Sequence, residues 1–213
     1  MNRLRPVIPP LKKRPVFEIE PDEILTINRG TGAGGANTNK YGKAFEKQLS
    51  QEERLLQKGF QKVIMNTTKF GYYLKHSSLQ RDIYFFQQSG LSSYLKLQYN
   101  ITINRYPDEA YLICNEDGTT KLKIIEMKHQ NVSGSVDIKL WAAPTLKREY
   151  QFIVGDKMKV EYALSVSEFL EKKFLNDSNF KILYHHLFKE DDIRVFFANH
   201  STYAEEVNKW IQE

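Results

Sequence analysis

The sequence predicts a mixed α/β fold of the α+β type, because strand-like and helix-like segments follow one another along its 213 residues. Hydrophobic residues make up 41% of the chain and charged residues 27%, which is typical of a globular domain with a sizeable core. The length suits one domain with a terminal tail. No apolar run approaches the about 20 residues of a membrane-spanning helix, so we expect no membrane partner.

The first 30 residues are predicted to be an extended arm, followed by a single domain over residues 31–213. Five of the seven prolines lie at positions 6–21, which excludes a helix there. Residues 1–14 contain lysine and arginine but no acid, so the arm is basic. Such an arm is either a solvated terminus or an element that follows a phosphate backbone or clasps a partner subunit.

Charge and cysteine content narrow the classes of partner and site. Lysine and arginine outnumber aspartate and glutamate by 31 to 26, which permits a polyanionic partner without requiring one. Cys114 is the single cysteine, so the chain has no internal disulfide and no zinc site that needs two cysteines. We therefore expect a cytoplasmic protein.

A glycine-rich stretch at residues 30–35 has the formal spacing G-x-G-x-x-G. The dinucleotide-binding motif needs a helix that begins at once, inside a βαβ unit. Residues 36–39 are mostly turn and cap formers, with Thr38 or Asn39 a candidate N-cap. We therefore expect a flexible loop here and no dinucleotide site.

The remaining elements follow from hydrophobic periodicity and turn signals. A β-hairpin is the clearest, because the apolar residues 111–114 and a second predicted strand at 122–127 flank the turn sequence Asn-Glu-Asp-Gly. The other predicted elements are a helix at 41–60, strands at 62–66 and 70–76, mixed structure at 81–104, a helix at 158–175, a strand at 193–198 and a helix at 201–212.

Two acids and a lysine occupy the same end of the predicted hairpin. Asp108 opens the first strand and Glu126 closes the second, so the fold-back of the hairpin places them side by side. Lys128 lies two residues beyond Glu126 and points to the same face of the strand. Two carboxylates on neighbouring strands suit Mg²⁺, which keeps its waters for a substrate phosphate. The sequence therefore predicts a site that hydrolyses phosphodiesters, with Lys128 holding the attacking water.

These residues resemble the signature of the PD-(D/E)XK nucleases, with Pro107-Asp108 followed by Glu126-Met127-Lys128. Residues 124–140 are similar to a segment of certain type II restriction endonucleases in which E-x-K-x-Q precedes a Gly-Ser/Thr loop and a lysine. Residues 34–46, which end in Glu46, resemble the opening helix of those enzymes. The resemblance covers residues 34–140, and it departs from some relatives at Ile138, where they carry a second acid.

The resemblance implies a central mixed β-sheet flanked by helices and a Mg²⁺-dependent homodimer. Such an enzyme cuts double-stranded DNA at a short palindrome and works beside a cognate DNA methyltransferase. Asp108 and Glu126 would bind one or two Mg²⁺ ions, Lys128 would be the catalytic lysine and Glu46 an auxiliary acid, and Gln130 would orient the site. The DNA-contact candidates are Asn37, Lys40, Lys43, Ser133, Ser135 and Lys139.

Two other functions remain open from the sequence. A structure-selective nuclease of repair or recombination would use the same fold and site on junctions or flaps. A basic DNA-binding module without catalysis would bind DNA in a salt-sensitive way. The hypothesis of a non-catalytic binding module has less support, because nothing in the sequence resembles a helix-turn-helix, a zinc finger or an aromatic RNA-binding motif.

Overall fold

Seven strands form one mixed sheet in a computed structural model that describes the backbone of residues 33–130 and 136–213. The sheet belongs to a compact unit, Thr38–Glu213, and the remaining unit is Met1–Asn37. The predicted basic arm lies outside the described residues. The described elements, in chain order, are α1 Ala33–Leu49, α2 Glu52–Gln57, β1 Gln61–Ile64, β2 Tyr72–Ser77, β3 Arg81–Gln87, α3 Ser89–Tyr99, β4 Glu109–Asn115, β5 Thr120–Lys128, α4 Val136–Trp141, α5 Ala143–Val154, β6 Lys159–Val166, α6 Glu168–Asn176, α7 Ser178–Leu183, β7 Ile193–Phe197 and α8 Tyr203–Gln212.

The strands lie in the sheet in the order of the sequence, and their direction changes at β5. Strands β1 to β5 form an antiparallel meander, whereas β5, β6 and β7 are mutually parallel. Parallel neighbours need a long crossover, which α4 and α5 provide before β6 and which α6 and α7 provide before β7. The predicted central mixed sheet flanked by helices is therefore present.

Apolar side chains alternate between two cores, one on each side of the sheet. Ile124 belongs to the core that also contains residues of α3, α5, α6 and α7, and we call this side the α5 face. Ile125 belongs to the core that also contains residues of α1, α2 and α8, and we call this side the α8 face. Both sides of β5 are buried, so the even-numbered and odd-numbered residues of the strand reach different environments.

The local predictions hold where the signal was short-range. The predicted hairpin is present as β4 and β5, and β1, β2, β7 and α8 lie close to their predicted positions. The mixed region at 81–104 consists of β3 and α3. Gly90 allows this helix to lie against β2, because a Cβ at this position would be 2.8 Å from the carbonyl oxygen of Phe70.

The single helix predicted at 41–60 is wrong, because α1 ends at Leu49 and α2 begins at Glu52. The backbone N–H of Gln51 donates to the carboxylate of the buried Glu109, 2.9 Å away, and the Gln51 side chain donates to the carbonyl of Leu49. These bonds satisfy backbone groups at the break. A contact with a residue 58 positions away therefore ends a helix that local periodicity would extend.

The helix predicted at 158–175 is also wrong, since this segment contains strand β6 and then helix α6. Val160 and Leu164 are four residues apart, a spacing that places side chains together on a helix but also on one face of a strand. Helices α4 and α5 were not predicted from the sequence. Among the described helices, none has both the length and the apolar content needed to span a membrane.

Helix α1 begins at Ala33, so the turn predicted at 36–39 and its N-cap are wrong as well. The first strand after α1 nonetheless pairs in antiparallel fashion with β2. The segment that directly follows this helix is therefore not the βαβ unit that a dinucleotide site requires.

Candidate active site

The β4–β5 ladder brings Asp108 and Glu126 to one end of the sheet. The last residue pair of the ladder is Glu109 with Ile125, so Asp108 and Glu126 are the next residues on the two strands. Both follow the alternation of Ala110 and Ile124, which lie on the α5 face. The juxtaposition predicted from the sequence is thus present in the structure.

Lys128 connects the two acids. Its Nζ lies 2.6 Å from Oε2 of Glu126 and 3.9 Å from Oδ2 of Asp108. The backbone N–H of Met127 also donates to Oδ2 of Asp108, at 2.7 Å. These side chains are only 14–16% exposed, so water screens their charges weakly. The site is therefore a tightly packed triad of two carboxylates and one ammonium.

Within the triad two carboxylates face one ammonium. Burial raises the pKa of Glu126, and although Lys128 opposes that shift, the carboxylate of Asp108 adds to it. Burial also raises the pKa of Glu46 on α1, and Asp108 contributes in the same direction. Glu46 therefore lies within electrostatic range of the triad, as the sequence resemblance implied. A divalent cation would relieve the repulsion among these acids.

The donor set fits Mg²⁺ better than a closed metal cage. Among the described residues, no three His, Cys, Asp or Glu side chains are grouped closely enough to hold a metal ion. Asp108 and Glu126 instead offer a pair of carboxylates, and Mg²⁺ commonly takes one or two carboxylates and completes its octahedron with water and substrate oxygens. These two residues could hold the ion.

Gln88 also supports Asp108, although no sequence pattern indicates such a role. Its side-chain Nε2 donates to Oδ1 of Asp108 at 3.2 Å, and its backbone N–H donates to the carbonyl of Pro107 at 3.0 Å. Its backbone has φ 47° and ψ −123°, a conformation in which glycine is favoured. A non-glycine residue there costs about 1–3 kcal/mol. The turn that leads from β3 into α3 is therefore strained beside the site.

Two buried tyrosines were likewise missed. Tyr150 on α5 and Tyr162 on β6 are 2% and 1% exposed, and their hydroxyls have no hydrogen-bond partner among the described residues. Burial raises the pKa of both, and the charge of Glu126 adds to the effect. They come from segments far from the hairpin in sequence, so no local motif could have identified them. Both tyrosines nonetheless lie within electrostatic range of Glu126 and Asp108.

His129 and Gln130 directly follow β5. The Gln130 backbone exchanges two hydrogen bonds with Oγ of Ser167, at 3.2 and 2.9 Å, which joins the end of β5 to the start of α6. The Gln130 amide is buried and has no partner in the described part of the chain. His129 packs against Tyr41 and Phe45 of α1, and burial lowers its pKa, consistent with the structural role expected for it.

Two of the predicted DNA-contact residues have described side chains. Lys43 is exposed on α1, and its charge acts on Glu46, one turn away. Lys139 is exposed on α4. Ser133 and Ser135 lie outside the described residues, as do the side chains of Asn37 and Lys40.

Comparisons with known proteins add no family to these observations: no family model matches the chain, and neither does a curated protein or a solved structure. A functional assignment therefore depends on the chemistry of the residues themselves.

Proposed function

We propose that the protein is a Mg²⁺-dependent endonuclease that hydrolyses phosphodiester bonds in double-stranded DNA at a short specific sequence. The convergence of Asp108, Glu126 and Lys128 on one partly buried point is the observation that carries this proposal. The second acid beside the Lys128–Glu126 pair supports it, because a structural ion pair needs only one carboxylate.

Hydrolysis adds water across a phosphorus–oxygen bond, so charge develops on the phosphate oxygens and a proton leaves the attacking water. Mg²⁺ held by Asp108 and Glu126 would supply positive charge to the phosphate and lower the pKa of water. Lys128 donates hydrogen bonds and would orient the water and stabilise the developing charge. Glu46, whose pKa burial raises, would accept or return a proton at the edge of the site.

The most specific form of the proposal is a type II restriction endonuclease that acts as a homodimer in a restriction-modification system. Its support is the match of residues 34–140 to the signature, and the net charge of +5, which suits a DNA partner. A repair or recombination nuclease would use the same site. The fragments distinguish the two, because a restriction enzyme gives discrete bands of constant pattern and a repair enzyme prefers junctions or flaps.

The test is digestion of plasmid DNA with Mg²⁺ and with EDTA, using the wild type and Lys128→Ala. We expect cleavage only by the wild type with Mg²⁺, while Lys128→Ala still retards DNA. The matched control is Lys159→Ala, at the opposite end of the sheet, where Lys159 pairs with Lys121 on β5. Undiminished cleavage by Lys128→Ala would refute the assignment. DNA binding without cleavage at any Mg²⁺ or Mn²⁺ concentration would favour a binding module.

A further inference from the structure

Gln88 is the one residue between strand β3 and helix α3, and it holds the loop that carries Asp108. Its backbone N–H donates to the carbonyl of Pro107 at 3.0 Å, and its side-chain amide donates to Oδ1 of Asp108 at 3.2 Å. Main chain and side chain therefore both bind the Pro107-Asp108 segment.

The two oxygens of Asp108 have different donors. Oδ1 accepts from Gln88, while Oδ2 accepts from the backbone N–H of Met127 at 2.7 Å and faces Lys128 at 3.9 Å. Donors on both oxygens fix the rotation of the carboxylate about its terminal bond, which is otherwise a soft torsion. Each oxygen keeps lone-pair capacity, since an ionised carboxylate has about four acceptor sites.

The preceding residue, Gln87, is also a glutamine but makes a different contact. Gln87 ends strand β3 and donates from its amide to Oγ of Ser50, 2.8 Å away on the α8 side. Gln88 instead has a positive φ of 47°, where glycine would be unstrained. The strained residue in this turn is thus the one that contacts an acid of the triad, a combination common at functional sites.

We infer that Gln88 is a positioning residue of the site: its amide holds the Asp108 carboxylate in the orientation that binds a divalent cation, at the expense of backbone strain. The inference rests on the metal site of the proposed function and adds to it a residue that acts through Asp108. It predicts that substitutions of Gln88 change the stability of the fold and the affinity for the ion independently of each other.

The test compares Gln88→Ala and Gln88→Gly with the wild-type chain. Mn²⁺ affinity is measured without DNA by electron paramagnetic resonance, and stability is measured as the urea midpoint. Both variants lack the amide, so we expect both to bind Mn²⁺ about 10–100-fold more weakly. Gln88→Gly relieves the positive φ, so its urea midpoint should exceed that of Gln88→Ala. Cleavage by either variant should require correspondingly more Mn²⁺.

Asn100→Gly is the matched control, because Asn100 also has a positive φ, 55°, at the other end of the same helix. We expect it to retain wild-type Mn²⁺ affinity. If Gln88→Gly regains wild-type affinity along with stability, the contact is merely structural and the inference is overturned. Equal Mn²⁺ affinity in Gln88→Ala and the wild type overturns it too. A wild-type chain that neither binds Mn²⁺ nor cleaves DNA overturns the proposed function itself, and the inference with it.

Discussion

Strand β5 carries two lysines that each pair with a carboxylate, and the two surroundings differ in charge balance. On the α8 face, Lys123 is fully buried and contacts Glu161 at 2.7 Å and the carbonyl of Trp210 at 2.5 Å. On the α5 face, Lys128 contacts Glu126 and lies near Asp108. The first cluster is completed within the chain, whereas the second has more acid than base.

The pKa directions of the two glutamates express this difference. Lys123, together with Lys121 and Lys159, lowers the pKa of Glu161 in spite of its partial burial. The pKa of Glu126 is raised, because burial and Asp108 together outweigh Lys128. Three lysines act on Glu161, whereas Glu126 has Lys128 beside it, a smaller contribution from Arg105 and a second carboxylate in Asp108. Charge balance, more than the mere presence of a Lys–Glu pair, therefore separates a stabilising cluster from a candidate binding site.

Glu126→Gln and Glu161→Gln should give the largest contrast in activity. We expect Glu126→Gln to reduce plasmid cleavage by at least about 10³-fold, because it removes a ligand charge, and to leave the urea midpoint unchanged or higher. Glu161→Gln should keep cleavage and lose stability. Initial rates in Mg²⁺ and urea titrations of both proteins check this, and loss of cleavage in Glu161→Gln alone would reverse the comparison.

Lys123→Met and Lys128→Met should give the corresponding contrast in stability. Lys123→Met leaves Glu161 without its closest partner in a buried setting, so we expect a loss of about 3–5 kcal/mol in the free energy of unfolding. We expect a smaller loss for Lys128→Met, because the Lys128 side chain is 16% exposed whereas that of Lys123 is fully buried. Urea unfolding at pH 7 measures both values, and equal losses would contradict the distinction.

Glu109, the neighbour of Asp108 on the α8 face, should make stability depend on pH. Burial raises its pKa to about 8, so the folded chain binds a proton there that the unfolded chain, with a pKa near 4.5, has released. Stability from this group is full below pH 4.5 and is lost as pH rises towards 8. We expect a loss of about 2–3 kcal/mol between pH 6 and 8.

Glu109→Gln should remove that dependence while preserving the acceptor for the backbone N–H of Gln51. Thermal unfolding of the two proteins at pH 6, 7 and 8 measures the slope. A slope that is identical in both proteins would show that Glu109 is ionised in the folded chain over this range.

Tyr162→Phe should have the smallest effect. Its hydroxyl has no partner among the described residues, so removal should leave stability unchanged or raise it by about 1 kcal/mol. Tyr203→Phe is the control, because the Tyr203 hydroxyl pairs with Oγ of Ser165 at 2.9 Å and its removal should lower stability by a similar amount. A clear loss of stability in Tyr162→Phe would show that its hydroxyl is satisfied in solution.

The sequence predicted the site best where all the information was local. A hairpin is specified by two short strands and a turn, so the relation of Asp108, Glu126 and Lys128 followed from counting residues. Glu46 was placed near them by resemblance alone. Gln88 contacts Asp108 from a strained turn, and Tyr150 and Tyr162 come from a helix and a parallel strand. No spacing rule in the sequence predicts such placements.

The incorrect predictions of secondary structure have the same origin. Helix 41–60 was predicted from its own periodicity, but the break at Gln51 depends on Glu109, a buried acid that no local pattern marks. Strand β6 was predicted to be a helix because apolar residues four positions apart fit one face of either structure. Elements that depend on distant partners were therefore the ones that the sequence alone could not define.

The amide of Met127 ends the β4–β5 ladder on a side chain, since its acceptor is the carboxylate of Asp108 where a strand carbonyl would otherwise serve. A slip of one residue along β5 would send Glu126 and Lys128 to the far side of the sheet. Pairing of β4 and β5 in the correct register consequently also assembles the site. A chain in which these two strands are mispaired would lack the assembled site altogether. Recovery of cleavage activity would therefore report on correct strand pairing during refolding.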